Sequence, residues 1–204
     1  MRKFALVLVC VLAVCGVVSA EDKKIEERDC RSVKVETWLV CVSTDALYES
    51  GIQPVPSDDK QEVTILNLIW CLTDPNNGVV ISSGQTLAVN HVRAEFRSKK
   101  TEYIEVGAPV KSSEATKARH KTSSYQTETY CRTYSRIESD KNIFIEYEWS
   151  FEGILTSTSK LLPEPISIGN QSALSIKPGK PVIVNQSHIN DKMLFLVMRT
   201  KIIE

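Results

Sequence analysis

The sequence predicts an all-β chain: an antiparallel β-sandwich or barrel-like domain stabilised by two disulfides, with little helix outside a signal peptide. Three observations predict it. The first is the stretch Asn142–Leu155, NIFIEYEWSFEGIL. Ile143, Ile145, Tyr147, Trp149 and Phe151 alternate there with Glu146, Glu148, Ser150 and Glu152. A period of two puts the first set on one face of a strand, whereas a helix, with a period of 3.6, could not gather them onto one stripe. The second is a series of short apolar segments separated by turn signals. The third is the lack of any long helical period beyond residue 20.

The chain begins with Arg2 and Lys3, an apolar run over residues 4–18 and the small residues Val18-Ser19-Ala20. That is the pattern of a secretory signal peptide over residues 1–20, and it carries Cys10 and Cys15 away with it. The expected product is soluble, secreted and extracellular. Residues 21–33 read as a charged N-terminal arm, and residues 34–204 as a single β-domain. The later run at 193–198 is too short to span a bilayer, and no hydrophobic anchor tail follows it.

Four cysteines remain: Cys30, Cys41, Cys71 and Cys131. An even number in a secreted chain implies two disulfides, with the pairing open among three connectivities. There is no CxxC, so the spacing does not indicate zinc. Asn170-Gln171-Ser172 and Asn185-Gln186-Ser187 are N-glycosylation acceptors in polar surroundings rich in turn residues, which reads as a surface glycoprotein.

Taken in order, residues 34–44 form a strand with Trp38, Val40 and Val42 on one side. Residues 45–60 hold Gly51, Pro54 and Pro56 and read as a loop. The near-continuous apolar run 62–72 fits a central strand covered on both faces; a helix is the competing reading, against which stand the β-branched Val63, Thr64, Ile65 and Ile69. Asp74-Pro75-Asn76-Asn77-Gly78 is a turn. Residues 79–81 and 88–96 are strands around Gly84, and residues 102–106 form a short strand. Residues 111–124 are either a short helix capped by Ser112 or Ser113 or a loop. Residues 124–137 alternate again, and residues 138–141 turn the chain into Asn142–Leu155. That hairpin sets Ile137 opposite Ile143, Arg132 opposite Glu148 and Cys131 opposite Trp149; a one-residue slip would reverse every face. The region of Pro163, Pro165 and Gly169 reads as irregular, Pro178-Gly179 as a turn, and residues 193–203 as the last strand.

Between residues 63 and 98, the positions Thr64, Leu66, Thr73, Asp74, Asn76, Gly78, Gly84, Val92, Phe96 and Ser98 resemble, without a gap, the insect secreted family named after multiprotein bridging factor two. The resemblance implies a small β-rich domain with an Asn-Gly-Gly type turn and a following strand ending Phe-x-Ser. The chain departs from that family by having Gln85-Thr86-Leu87-Ala88 in place of a Gly-Gly-Pro-Gly run. The resemblance implies a secreted protein. The co-activator role behind the family's name conflicts with a signal peptide.

No catalytic, cofactor or metal site is legible. His91, His120 and His188 lie in no ligand spacing, no Gly-x-Ser-x-Gly occurs, and no phosphate-binding glycine loop is present. Glu146, Glu148 and Glu152 share a strand face, where paired carboxylates can act as acid and base or bind calcium, but where a base such as Arg132 can equally neutralise them. Net charge is zero over the full chain but uneven. Residues 21–74 carry twelve acids and six bases, net −6, and residues 93–136 ten bases and five acids, net +5. Arg97, Lys99, Lys100, Lys117, Arg119 and Lys121 therefore form a candidate patch for an anionic partner, or a solvated basic loop. Secretion and sparse aromatic interleaving argue against nucleic acid. The expected function is non-enzymatic extracellular binding of a protein, a glycan or a small apolar ligand, with no cofactor. The alternatives are a membrane-active or pore-forming protein, on the Ser/Thr-rich alternation of residues 123–135 and 156–159, and a secreted hydrolase.

Overall fold

In the computed structural model, residues 30–52, 63–106, 121–155 and 164–204 are described. The proposed signal peptide, residues 21–29 of the arm, Ser112, Ser113, His120, Lys117 and Arg119 lie outside them. Residues 31–204 form one compact unit. Its described part holds strands β1 (Ser32–Ser43), β2 (Gly78–Val89), β3 (Arg93–Val106), β4 (Lys121–Ser139), β5 (Asn142–Leu155), β6 (Glu164–Ile176), β7 (Val182–Ile189) and β8 (Lys192–Ile203). Two short helices, α1 (Thr44–Glu49) and α2 (Ile65–Cys71), complete it. The strands make two separate antiparallel sheets, a first in the order β2-β1-β8-β7 and a second in the order β3-β4-β5-β6. The chain is thus mainly β, as expected, and the sheets do not close into a barrel.

The β4–β5 hairpin has the expected register. Ile137 pairs with Ile143, Arg132 with Glu148 and Cys131 with Trp149. The alternation of β5 therefore sends Ile143, Ile145, Tyr147, Trp149 and Phe151 inward, all 2 % exposed or less. They meet Val33, Val35, Leu39, Cys41, Leu194, Leu196 and Met198 of the first sheet in one apolar cluster. Hydroxyl pairs tie the sheets at one side of this core, Ser82 to Thr129 at 2.6 Å and Thr86 to Thr133 at 2.9 Å. At the other side the buried Tyr147 hydroxyl donates to Asn170 Oδ1 at 2.6 Å. Gly84 lies inside β2 and does not break it: an added Cβ would stand 2.1 Å from the Phe96 ring, so only glycine lets the two pack this closely.

The first sheet has a second apolar face. Val40, Val42, Met193, Phe195 and Val197 point outward and are covered by Ala46, Leu47, Leu68 and Cys71 of the helices. This corrects two expectations. Residues 65–71 are a helix, not a central strand. Thr64 and Asn67 form a reciprocal capping box, with Asn67 N donating to Thr64 Oγ1 and Thr64 N to Asn67 Oδ1. Leu68 and Cys71, three apart, then face the sheet while Leu66, Ile69 and Trp70 are exposed. Residues 45–49, expected as loop, belong to α1 because Ala46 and Leu47 find the same apolar face.

One more element departs from expectation. The region of Pro165 and Gly169 is strand β6, because proline at the second residue of an edge strand costs no ladder bond that the interior needs. β7, for which the sequence set no expectation, pairs with β8 around a bulge between Ile183 and Asn185.

The expected pair of disulfides is absent: Cys41, Cys71 and Cys131 are buried thiols. Cys71 faces the helical layer and Cys41 the inner core, on opposite sides of the first sheet. Cys41 and Cys131 are out of register. Ser82 pairs with Leu39 and bonds Thr129, so Thr129 stands level with Leu39. By the same route Thr133 stands level with Val35, and Cys131 level with Thr37. Cys41 is then four residues further on, about 13 Å along the strand, beyond the Cα reach of about 7 Å that a disulfide allows. Burial pushes the Cys131 thiol up to about 12 and raises those of Cys41 and Cys71.

Candidate binding surface

Strand alternation that buries one face of the second sheet leaves the other open. On that face the ladder registers line up rows across β3, β4 and β5: Arg93–Tyr134–Glu146, Glu95–Arg132–Glu148, Arg97–Tyr130–Ser150 and Lys99–Glu128–Glu152. Arg132 is the centre. Its Nη1 lies 3.3 Å from Glu148 Oε2, its Nε 3.6 Å from Glu95 Oε2, and its guanidinium 5.6 Å from the Tyr130 ring centroid. The Tyr130 hydroxyl donates to Glu95, and partial desolvation raises that phenol's pKa. Glu128 accepts from Lys99 at 2.8 Å and from Arg97, and these cations hold its carboxyl below the usual range. Two open depressions of about 490 Å³ each share Arg132 and Glu148 as lining. No ion pair among the described residues reaches Arg93, Glu146 or Glu152. Beside them β6 adds only small or neutral residues, Ser167, Gly169, Gln171 and Ala173. Exposed ion pairs of this kind contribute under about 1 kcal/mol each, so the rows shape a surface more than they hold the fold.

The carboxylates Glu146, Glu148 and Glu152 are all on this face, and Arg132 does neutralise Glu148. Of the expected basic patch, Arg97 and Lys99 are on the face but shared with Glu128, and Lys100 falls on the opposite side of β3 by alternation. Lys121 opens β4, away from the rows. Cys30 is exposed. Asn170 and Asn185 sit within β6 and β7, half-buried, not in turns. His91 occupies the β2–β3 turn at φ 66, its Nδ1 3.1 Å from the Tyr134 hydroxyl, and His188 is exposed on β7. Among the described residues no His, Cys, Asp or Glu cluster could hold a metal, and no helix is long and apolar enough to cross a membrane. Sequence reasoning did not place Arg93, Glu95 and Tyr130 in the site. The signal was there as charge alternating with a period of two, Arg93-x-Glu95-x-Arg97-x-Lys99.

No family model and no curated protein matches the chain. Solved structures do. The secretin InvG of the Salmonella SPI-1 type III secretion injectisome, in the open gate state, superposes with a TM-score of 0.51 at 13 % identity over 85 % of this chain and 61 % of that one. The likeness is one of fold. The Escherichia coli K12 type II secretin GspD follows at 0.46 and 12 % identity, over 100 % and 54 % of the two chains. The Vibrio cholerae type IV competence pilus secretin PilQ gives 0.42 and 9 %, over 85 % and 61 %. The chain spans less than two thirds of each of these three.

Proposed function

We propose that the chain is a secreted, non-enzymatic β-sandwich that binds an extracellular protein through the outer face of its second sheet. The observation that carries this reading is the set of charged rows centred on Arg132, fixed by strand register on a face that no element of the described chain covers. Charges held in a fixed pattern select a complementary protein surface and reject others. The polar character of both depressions favours a protein over a small apolar ligand. The signal-peptide pattern of residues 1–20 and the resemblance of residues 63–98 to a secreted family support the extracellular setting. Immobilised protein should retain a partner from extracellular fluid that Arg132→Glu loses at unchanged circular dichroism. Retention by Arg132→Glu together with loss in Trp70→Asp would move the site to the helical layer and sink the reading. Secretion is tested separately: the protein recovered from medium should begin near Glu21.

One observation favours a second reading, a membrane-active protein. The β3–β4 and β5–β6 ladders both extend to the same end of the second sheet, at Val106–Lys121 and Leu155–Glu164. Beyond Phe96, residues of β3 on both faces are exposed, as at Ser98, Lys99, Lys100 and Thr101. The fold likeness to a secretin is compatible with this. Release of dye from anionic liposomes supports it; no release over a range of lipids and pH removes it.

A further inference from the structure

Every sheet has two edges, and an edge presents unpaired backbone donors and acceptors that other strands can use unless something blunts them. Among the described strands, three of the four edges are blunted. β3 carries Arg93, Glu95, Arg97, Lys99 and Lys100. β2 is bulged, with a register shift opposite Leu39 and Val40. β7 has eight residues and a bulge, and follows Pro181. β6 has none of these over most of its length. It pairs with β5 from Glu164 to Ile176 without a register shift, and after Glu164 and Pro165 it carries no charge and no further proline.

What β6 offers instead is a sequence that matches itself when reversed. Residues 166–176 read Ile-Ser-Ile-Gly-Asn-Gln-Ser-Ala-Leu-Ser-Ile. Antiparallel pairing with a second β6 about Gln171 sets Ile166 against Ile176, Ile168 against Leu174 and Asn170 against Ser172 on the inner face. On the outer face it sets Ser167 against Ser175 and Gly169 against Ala173. Apolar meets apolar, polar meets polar and small meets small. A shift of two residues puts Ile168 against Ser172 and loses the match, so the pattern specifies a register as well as an edge. Ile166, Ile168 and Leu174 also belong to the inner core while remaining partly exposed at its margin. Pairing there would complete their burial.

We infer that this edge joins a second copy of the chain, β6 to β6, as a two-fold dimer whose second sheets form one continuous eight-stranded sheet. The inference stands on the edge and not on the partner proposed for the outer face. That face would simply be doubled.

Sedimentation of the full secreted chain tests it, with substitutions at the exposed Ser167 and Ser175 and circular dichroism to confirm folding. The wild type should dimerise reversibly with concentration. Ser167→Lys with Ser175→Lys should be monomeric, as should Ser167→Glu with Ser175→Glu, and an equal mixture of the two should regain the dimer. Gln171→Cys should cross-link to a covalent dimer on mild oxidation, whereas Ser175→Cys should not, since Ser175 faces Ser167. A wild type that stays monomeric, a dimer that survives both charge variants, or an N-glycan on Asn170 of the secreted protein, which would stand in the junction, each overturns the inference.

Discussion

The two sheets have four antiparallel strands each but differ in what covers them. β8, in the first sheet, is buried without a break from Met193 to Met198, because its inner residues meet the core and its outer ones meet α1 and α2. β5, in the second sheet, alternates buried residues with half-buried or exposed ones along its length, because only one side is covered. A continuous apolar run marks a middle layer, and an alternating one marks an outer layer. The first sheet is specialised for stability, and the second holds the fold with one face and presents charge on the other.

The two sheets should respond most strongly to substitution in their cores. Phe195→Ala, against the helical layer, and Phe151→Ala, between the sheets, should each lose about 3–5 kcal/mol in urea unfolding. Glu148→Gln on the open face should lose less than about 1 kcal/mol. If Phe195→Ala costs no more than Glu148→Gln, the helices do not make the first sheet a middle layer. Gly84→Val should cost about 1–3 kcal/mol, because its side chain must displace the Phe96 ring where the sheets meet. Thr64→Ala should cost about 1 kcal/mol through the lost cap, with hydrogen exchange accelerated in α2 and unchanged in β5.

Protonation sharpens the same contrast. The Cys131 thiol is raised, so its contribution is present below the ordinary thiol value of about 8.5 and is lost as pH climbs toward about 12. Iodoacetamide at mildly alkaline pH should leave Cys131 unmodified in the native protein and label it after unfolding. Two acids are shifted the other way. Glu36, on the first sheet, is held below the usual range chiefly by its hydrogen bond to Lys34, then by Arg199. Glu128, on the second, is held down by Lys99 and Arg97. Their contributions are present above the ordinary glutamate value of about 4.3 and are lost as pH falls below it toward the folded values. Glu36→Gln and Glu128→Gln should each flatten the acid limb of the stability profile, the smallest of these effects.

β5, its ends, its turn and its pairing with β4 were legible because a period-two pattern and a tight turn leave one register that buries Trp149 and exposes Glu148. Residues 65–71 were misread for the converse reason. A short apolar run fits a buried strand and a covering helix equally well. The Thr64–Asn67 cap was the local clue, but only the apolar outer face of β1 and β8 decides that Leu66 and Trp70 face outward. β6 was missed because proline and small residues suit both a loop and an edge strand. Of the open face, Glu146, Glu148, Glu152 and Arg132 were readable from one hairpin. Arg93, Glu95 and Tyr130 were not, because they join it through the β3–β4 register, which spans a connection too long for turn chemistry to set.

By itself the sequence determined that the chain is mainly β, where its best strand lies and which way that strand faces. These are local properties, written in side-chain alternation and turn residues. Tertiary structure alone decided that three cysteines stay thiols, that an apolar heptapeptide covers a sheet instead of joining it, and that charges from three strands form common rows. Each of those depends on which distant segments lie level with one another, and no local pattern encodes that.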